Sequence, residues 1–232
     1  MKTVGIIFAM EEEEKEFLKQ VEVYEITNIY DLDFTLGYVN NTKCILVESG
    51  VGKVNAARCT QVLIDNFYVD YIFNIGVAGS ISNEVNICDI VIGEKLVQHD
   101  FDITAFNHKK GYIPKVGIYV ESNKKLLKTA KQLNEPNTHL GVIASGDIFC
   151  TDIEMSKNIN KEFGALCVEM EGASIAQVCY LCNIPFLVIR SISDSINGKN
   201  KMDYDEFLNI SSKTIANFLN KMIMKMEEQK WK

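Results

Sequence analysis

The sequence predicts an α/β fold, a central sheet with helices packed on it. Apolar, β-branched runs of strand length recur at residues 4–9, 71–75, 90–96, 138–145, 166–168 and 186–189. Stretches of helical spacing lie among them, at 10–18, 55–67, 123–133, from 172 onward and at 202–226. With 232 residues, 47% hydrophobic content and only 3 prolines, the chain can bury one large core and shows no linker, so residues 1–232 form a single domain.

The first strand, 4–9, runs into Met10 and the four acids Glu11, Glu12, Glu13 and Glu14. Acids in a first helical turn complement the positive end of the helix dipole. A strand-to-helix turn also sets at least one carboxylate at the carboxyl edge of the sheet. Residues 23–49 alternate as a meander, with strands at 30–38 and 43–48 and a turn at Asn40-Asn41. Ser49-Gly-Val-Gly-Lys53 is a glycine-bearing turn before a helix. It is not a nucleotide phosphate loop, because Lys53 is followed by Val54 and the spacing is wrong.

Strand 71–75 closes on Gly76-Val77-Ala78-Gly79-Ser80, where glycines let the backbone approach another group closely or take positive φ. After strand 90–96, His99, Asp100, Asp102 and His108 imitate metal-ligand spacing, but the set reads better as polar anchoring of a loop. Ser122 is placed to cap the helix at 123–133. Strand 138–145 leads to Gly146, Asp147, Phe149 and Cys150. The last helix shows Phe207, Leu208, Ile215, Phe218 and Leu219 on its apolar face.

Between these lies the densest chemistry. Strand 166–168 ends on Glu169-Met170-Glu171, and strand 186–189 ends on Arg190, with Ser193 and Asp194 just beyond. Carboxyl ends of strands in α/β sheets are where ligands bind. The same charges could also form a structural ion-pair network.

Bulk properties exclude several classes. A net charge of −7 without a basic stripe disfavours nucleic-acid binding. No apolar run reaches membrane-spanning length. Seven scattered cysteines, an odd count without a signal peptide, suit reduced thiols in the cytoplasm. Cys179 and Cys182 form a C-x-x-C pattern late in a helix with no second pair at zinc spacing, so no metal is expected.

Five motifs in order carry a family resemblance: Ala9-Met-Glu-Glu-Glu13, Ser49-Gly-Val-Gly-Lys53, Ser145-Gly-Asp147, Val168-Glu-Met-Glu171 and Ser191-Ile-Ser-Asp194. Together they resemble the purine nucleoside phosphorylase and nucleosidase superfamily, in its 5'-methylthioadenosine/S-adenosylhomocysteine nucleosidase branch. The resemblance implies a three-layer fold with a mixed, twisted sheet flanked by helices, a homodimer, and cofactor-free release of adenine in methionine salvage. It implies Glu13 as the base that activates water. Glu171 would bind ribose over Met170, and Asp194, oriented by Ser193, would protonate purine N7. Arg190 would hold the water or Glu171. Phe149 would stack on adenine while the Cys150 backbone reads the purine edge. Val51 and Tyr204 would border the 5' group. Ile103 would join the pocket, and Phe106, His108 and Pro114 would reach the neighbouring subunit's site. Val77 stands where relatives usually carry Ser or Thr, so water positioning would fall to Glu13, Glu171 and Arg190.

The chemistry supports hydrolysis independently. Phosphorolysis needs a cationic cradle, whereas the chain has two arginines, Arg58 and Arg190, and four acids in the N-terminal turn. Alternatives are a hydrolase for another 5'-modified adenosine such as 5'-deoxyadenosine or aminofutalosine, a purine nucleoside phosphorylase, and a non-catalytic nucleoside sensor.

Overall fold

A computed structural model describes residues 2–195 and 204–229, without the side chains of 195 and 204–209. The strands are β1 (Thr3–Phe8), β2 (Glu22–Ile29), β3 (Leu32–Val39), β4 (Thr42–Glu48), β5 (Tyr71–Ser80), β6 (Ile90–Gln98), β7 (Val120–Glu121), β8 (Thr138–Ser145), β9 (Ala165–Glu169) and β10 (Phe186–Ser195). The helices are α1 (Glu11–Leu18), α2 (Lys53–Phe67), α3 (Lys124–Gln132), α4 (Ile153–Phe163), α5 (Gly172–Leu181) and α6 (Tyr204–Glu228).

All ten strands join one mixed sheet in the order β10-β6-β8-β9-β5-β1-β4-β3-β2, with β7 beside β6. β10 also pairs in parallel with β5. The run β5-β10-β6-β8-β9 therefore closes on itself, and β1, β4, β3 and β2 extend from it as an open wing. Closure removes two edges that would otherwise expose unpaired backbone groups.

Alternation along the strands divides the core. Ile7, Val47, Ile72 and Val188 face Ala56, Cys59 and Leu63 of α2 and Ile175 and Cys179 of α5. Ile6, Phe8, Leu46, Phe73 and Leu187 face Phe17 of α1, Leu126 of α3 and Ile215, Phe218 and Met222 of α6. Both faces of the sheet are covered, so its strands read as continuous apolar runs rather than as alternation. A smaller cluster seats Ile159 and Phe163 of α4 against Val97, Ala144 and Val168.

Several boundaries differ from expectation for identifiable reasons. The glycine segment 76–80 is not a closing loop but the second half of β5, paired with β10 and, at its end, with β9. Neither Gly76 nor Gly79 is among the glycines at positive φ. Their role is space: a Cβ on residue 76 would lie 2.6 Å from Glu13 Oε1, and one on residue 79 would lie 2.9 Å from Asp194 Oδ2. β10 likewise runs through Arg190 to Ser195, with a bulge between Ile192 and Asp194. Bulges re-aim side chains, and this one sets Asp194 opposite Gly79.

Tyr30 and Asp31 do not begin a strand. They occupy the tight β2–β3 turn with φ of 54° and 60°, the doubly positive geometry that matches strand twist. Asn123, not Ser122, caps α3, its side chain accepting from the Lys125 and Leu126 amides. Residues 202–203 and the side chains of Tyr204, Phe207 and Leu208 lie outside the described residues; Ile215, Phe218 and Leu219 are buried as expected.

Gly76→Ala should destabilise the protein by about 1–3 kcal/mol in urea unfolding, because the added methyl must displace a buried carboxylate. Unchanged stability together with unchanged activity would contradict the close approach.

Candidate active site

Arg190 anchors the site. Its side chain is 2% exposed and reaches from β10 to Glu169 at the end of β9 and to Asn74 on β5. Nη1 also donates to the Asn74 carbonyl at 3.3 Å, and Asn74 Nδ2 donates to the Ile7 carbonyl at 3.0 Å. Glu169 is equally committed: Oε2 accepts from the amides of Glu171 at 3.1 Å and Gly172 at 2.7 Å, and Oε1 accepts from Ser145 Oγ. It thereby caps the start of α5, whose N-cap residue Glu171 makes no side-chain cap bond. Arg190 bonds Glu169, Asn74 and the Ile189 carbonyl rather than Glu171. Its charge still acts at short range on Glu171 and Glu13.

The four glutamates of the first turn divide by burial. Glu11 and Glu12 are exposed, whereas Glu13 is 2% exposed. Glu13 Oε2 accepts from the amides of Ala9 at 2.9 Å and Met10 at 3.1 Å, and Oε1 accepts from the Val77 amide at 2.9 Å. The acid thus caps its own helix from the third position and touches β5. Burial pushes its pKa up, against Arg190 and the three amides. A carboxyl raised in this way holds a proton more readily than an ordinary glutamate.

Glu171 is buried just past β9, and its Oε1 accepts from the Gly52 amide at 2.9 Å. Its pKa is pushed up to about 7, first by burial and then by the Glu169 charge, with Arg190 and the Gly52 amide opposing. Asp194 also lies above its ordinary range through burial, opposed by the Ser193 hydroxyl, which donates to Oδ1 at 2.9 Å. Glu13 and Glu171 feel each other and Arg190. Asp194 stands beside Gly79, three residues along β5 from Gly76, which is about 10 Å of strand.

The other expected residues are spread around this centre. Val77 is half-buried, and its amide rather than its side chain meets Glu13. Ser80 cannot substitute for the missing hydroxyl: its Oγ bonds the Ser82 carbonyl at 2.9 Å. Met170 is half-buried and Val51 exposed. Phe149 is 65% exposed, and Cys150 Sγ lies 3.2 Å from Ser156 Oγ. Ile103 is half-buried next to the short 3-10 turn Thr104–Phe106. Phe106 is 76% exposed, Pro114 is exposed, and His108 stacks on Tyr112 at 4.5 Å. Among the described residues no His, Cys, Asp and Glu group could hold a metal ion, and no helix is long and apolar enough to cross a membrane.

Two residues of the anchor were missed. Asn74 is the single polar residue in the run Tyr71-Ile-Phe-Asn-Ile75, a signal in itself, since a buried amide needs partners. Ser145 ends an apolar strand in the same way.

Residues 3–224 match the model of a family described as the phosphorylase superfamily. A Staphylococcus carnosus 5'-methylthioadenosine/S-adenosylhomocysteine nucleosidase is 37% identical over 95% of this chain and 98% of its own. The chain belongs to this nucleosidase branch of the phosphorylase superfamily. Solved structures agree with that membership. A Helicobacter pylori nucleosidase variant with 5'-methylthioadenosine in its active site superposes with a TM-score of 0.91 at 38% identity, covering 97% of this chain and 99% of that one. A futalosine hydrolase of the same species also matches, with a TM-score of 0.91 and 38% identity over 97% of this chain and 98% of its own.

The raised pKa of Glu171 has a stability consequence. In the unfolded chain this carboxyl titrates near 4.5. A raised folded value means the contribution is present below 4.5 and is lost as pH climbs through about 7. Glu171→Gln should therefore melt above the parent near about pH 8, and its advantage should shrink toward about pH 5. A difference in melting temperature that does not vary with pH would contradict the shift.

Proposed function

We propose that this protein hydrolyses the N-glycosidic bond of 5'-methylthioadenosine and S-adenosylhomocysteine, releasing adenine and the 5-substituted ribose. The observation that carries the reading is the engagement of both arginines. Arg190 is held by Glu169 and Asn74, and Arg58 donates to the Tyr30 carbonyl. Neither is free to cradle phosphate, and the buried acid Glu13 would activate a water instead. Family membership and the curated relatives support the same substrates.

Glycosidic cleavage passes through a ribosyl cation-like state while charge builds on the leaving base. Asp194, raised by burial and steadied by Ser193, can hold a proton for purine N7. Glu13 takes the proton of the attacking water, its carboxylate aligned by three amides. Glu171 bonds the ribose hydroxyls above Met170, and the buried Arg190 charge keeps the paired acids from both becoming neutral. Phe149 and the Cys150 backbone receive the adenine; Val51 and Val77 border the sugar and its 5' substituent.

The exposed loop carrying Ile103, Phe106, His108 and Pro114 completes the 5' end of a partner's site in a homodimer. Exposed Val54 on α2 and Tyr180 and Leu181 on α5 add apolar surface suited to the same interface. The similarity to a futalosine hydrolase favours a second reading, in which the preferred nucleoside carries a larger 5' group.

In phosphate-free buffer the protein should release adenine from methylthioadenosine, and Asp194→Asn and Glu13→Gln should each lose about 10²–10⁴-fold in kcat. Adenine release only on adding phosphate would refute hydrolysis. Comparing kcat/KM for methylthioadenosine and aminofutalosine decides between the two 5' groups. Phe106→Ala should raise KM for methylthioadenosine with little change in kcat, and light scattering should give a dimer. A monomer with the parent's KM in the variant would reject the shared site.

A further inference from the structure

Three residues to which the proposed chemistry gives no part come together beside Glu171. Lys53 ends the glycine turn, Asp100 belongs to the run of metal-like spacing, and Asp147 follows Gly146. Lys53 Nζ donates to Asp100 Oδ1 at 2.6 Å and to Gln98 Oε1 at 3.2 Å. Asp100 Oδ2 accepts from the Asp147 amide at 2.9 Å, and Asp147 Oδ1 accepts from the Lys53 amide at 2.8 Å. The bonds form a closed ring through three loops.

The ring answers a local deficiency. Gly52 is the N-cap of α2 at φ 99°, and it has no side chain with which to cap the helix. Asp147 supplies the missing acceptor from another loop. The adjacent amide, that of Gly52, is the one bound to Glu171 Oε1 at 2.9 Å. Asp147 therefore meets one amide of the α2 start while Glu171 meets the next, and Phe149 follows Asp147 by two residues.

We propose that Asp147, locked by Lys53 and Asp100, is a positioning residue that holds the Gly52 amide on the Glu171 carboxylate and couples the base loop to the ribose site. The role of Glu171 at ribose rests on the function proposed above. Exposed ion pairs are worth little alone, but Lys53 and Asp100 are half-buried and their partners are backbone amides as well as charges. Asp100 lies below its ordinary pKa: burial raises it, but the Lys53 and Asp147 hydrogen bonds prevail. The Gly52 hydrogen bond in turn lowers Glu171.

The test follows the Glu171 carboxyl by carbon NMR in the ligand-free, full-length protein, with Glu171→Gln assigning the signal. In Asp147→Ala its midpoint should rise by about 0.5 pH unit or more as the Gly52 bond loosens. It should return in Asp147→Asn, whose amide oxygen still accepts from Lys53. kcat/KM for methylthioadenosine should fall about tenfold in the alanine variant, the worth of one hydrogen bond. Lys53→Met opens the ring without removing the cap and should shift Glu171 in the same direction, which keeps the test decisive if the alanine variant does not fold. Folded variants in which Glu171 titrates as in the parent, or an asparagine variant as impaired as the alanine one, would overturn the proposal. The titration needs no substrate, so a parent that leaves methylthioadenosine intact would reject the proposed function while the ring is still judged on its own.

Discussion

The structure depends on one buried cation. Arg190 lies buried on β10, paired between β5 and β6, with Glu169 in direct contact and Glu13 and Glu171 close enough to feel its charge. Withdrawing such a group from water costs several kcal/mol, which only well-placed partners offset. Asn74, the Ile189 and Asn74 carbonyls and Glu169 provide them. Removing the arginine would leave acids buried without a counter-charge, so the arrangement is fixed as a unit. Its effect on the acids is graded: Glu169 is held in a pair, while Glu13 and Glu171 are left raised by burial and still able to exchange protons.

The sheet delivers these groups by pairing β5 with β10 and β9 at its far end. Closing the strands into a ring forces neighbouring backbones together, and the acids must then lie directly on β5. Gly76 and Gly79 make the room. The bulge at Ser193 turns Asp194 to the second of these gaps. A chain with alanine at either position would carry the same fold pattern but could not place the carboxylates as they are.

Much of this was legible in the sequence. The apolar runs, the paired acids after β9 and the Arg190 to Asp194 stretch locate the site because chemistry-bearing residues interrupt strands that are otherwise apolar. Glu13 could be chosen among four glutamates only by resemblance, since dipole complementarity favours all four equally; burial distinguishes it. The partner of Arg190 was hidden, because sequence proximity does not reveal that Glu169, two residues before Glu171, is the acid it bonds. The extension of β5 through its glycines was hidden, since glycine is a breaker in composition but here a spacer. The ring of Lys53, Asp100 and Asp147 joins residues nearly a hundred positions apart, and no local pattern encodes it.

The central claim is that buried acids, with the arginines engaged elsewhere, give the glycosidic bond to water. Cleaving methylthioadenosine in phosphate-free water enriched in heavy oxygen, and weighing the sugar product by mass spectrometry, tests it most directly. The account predicts the heavy oxygen on the released 5-substituted ribose. Sugar product without the label, or a sugar phosphate formed only when phosphate is supplied, would contradict it.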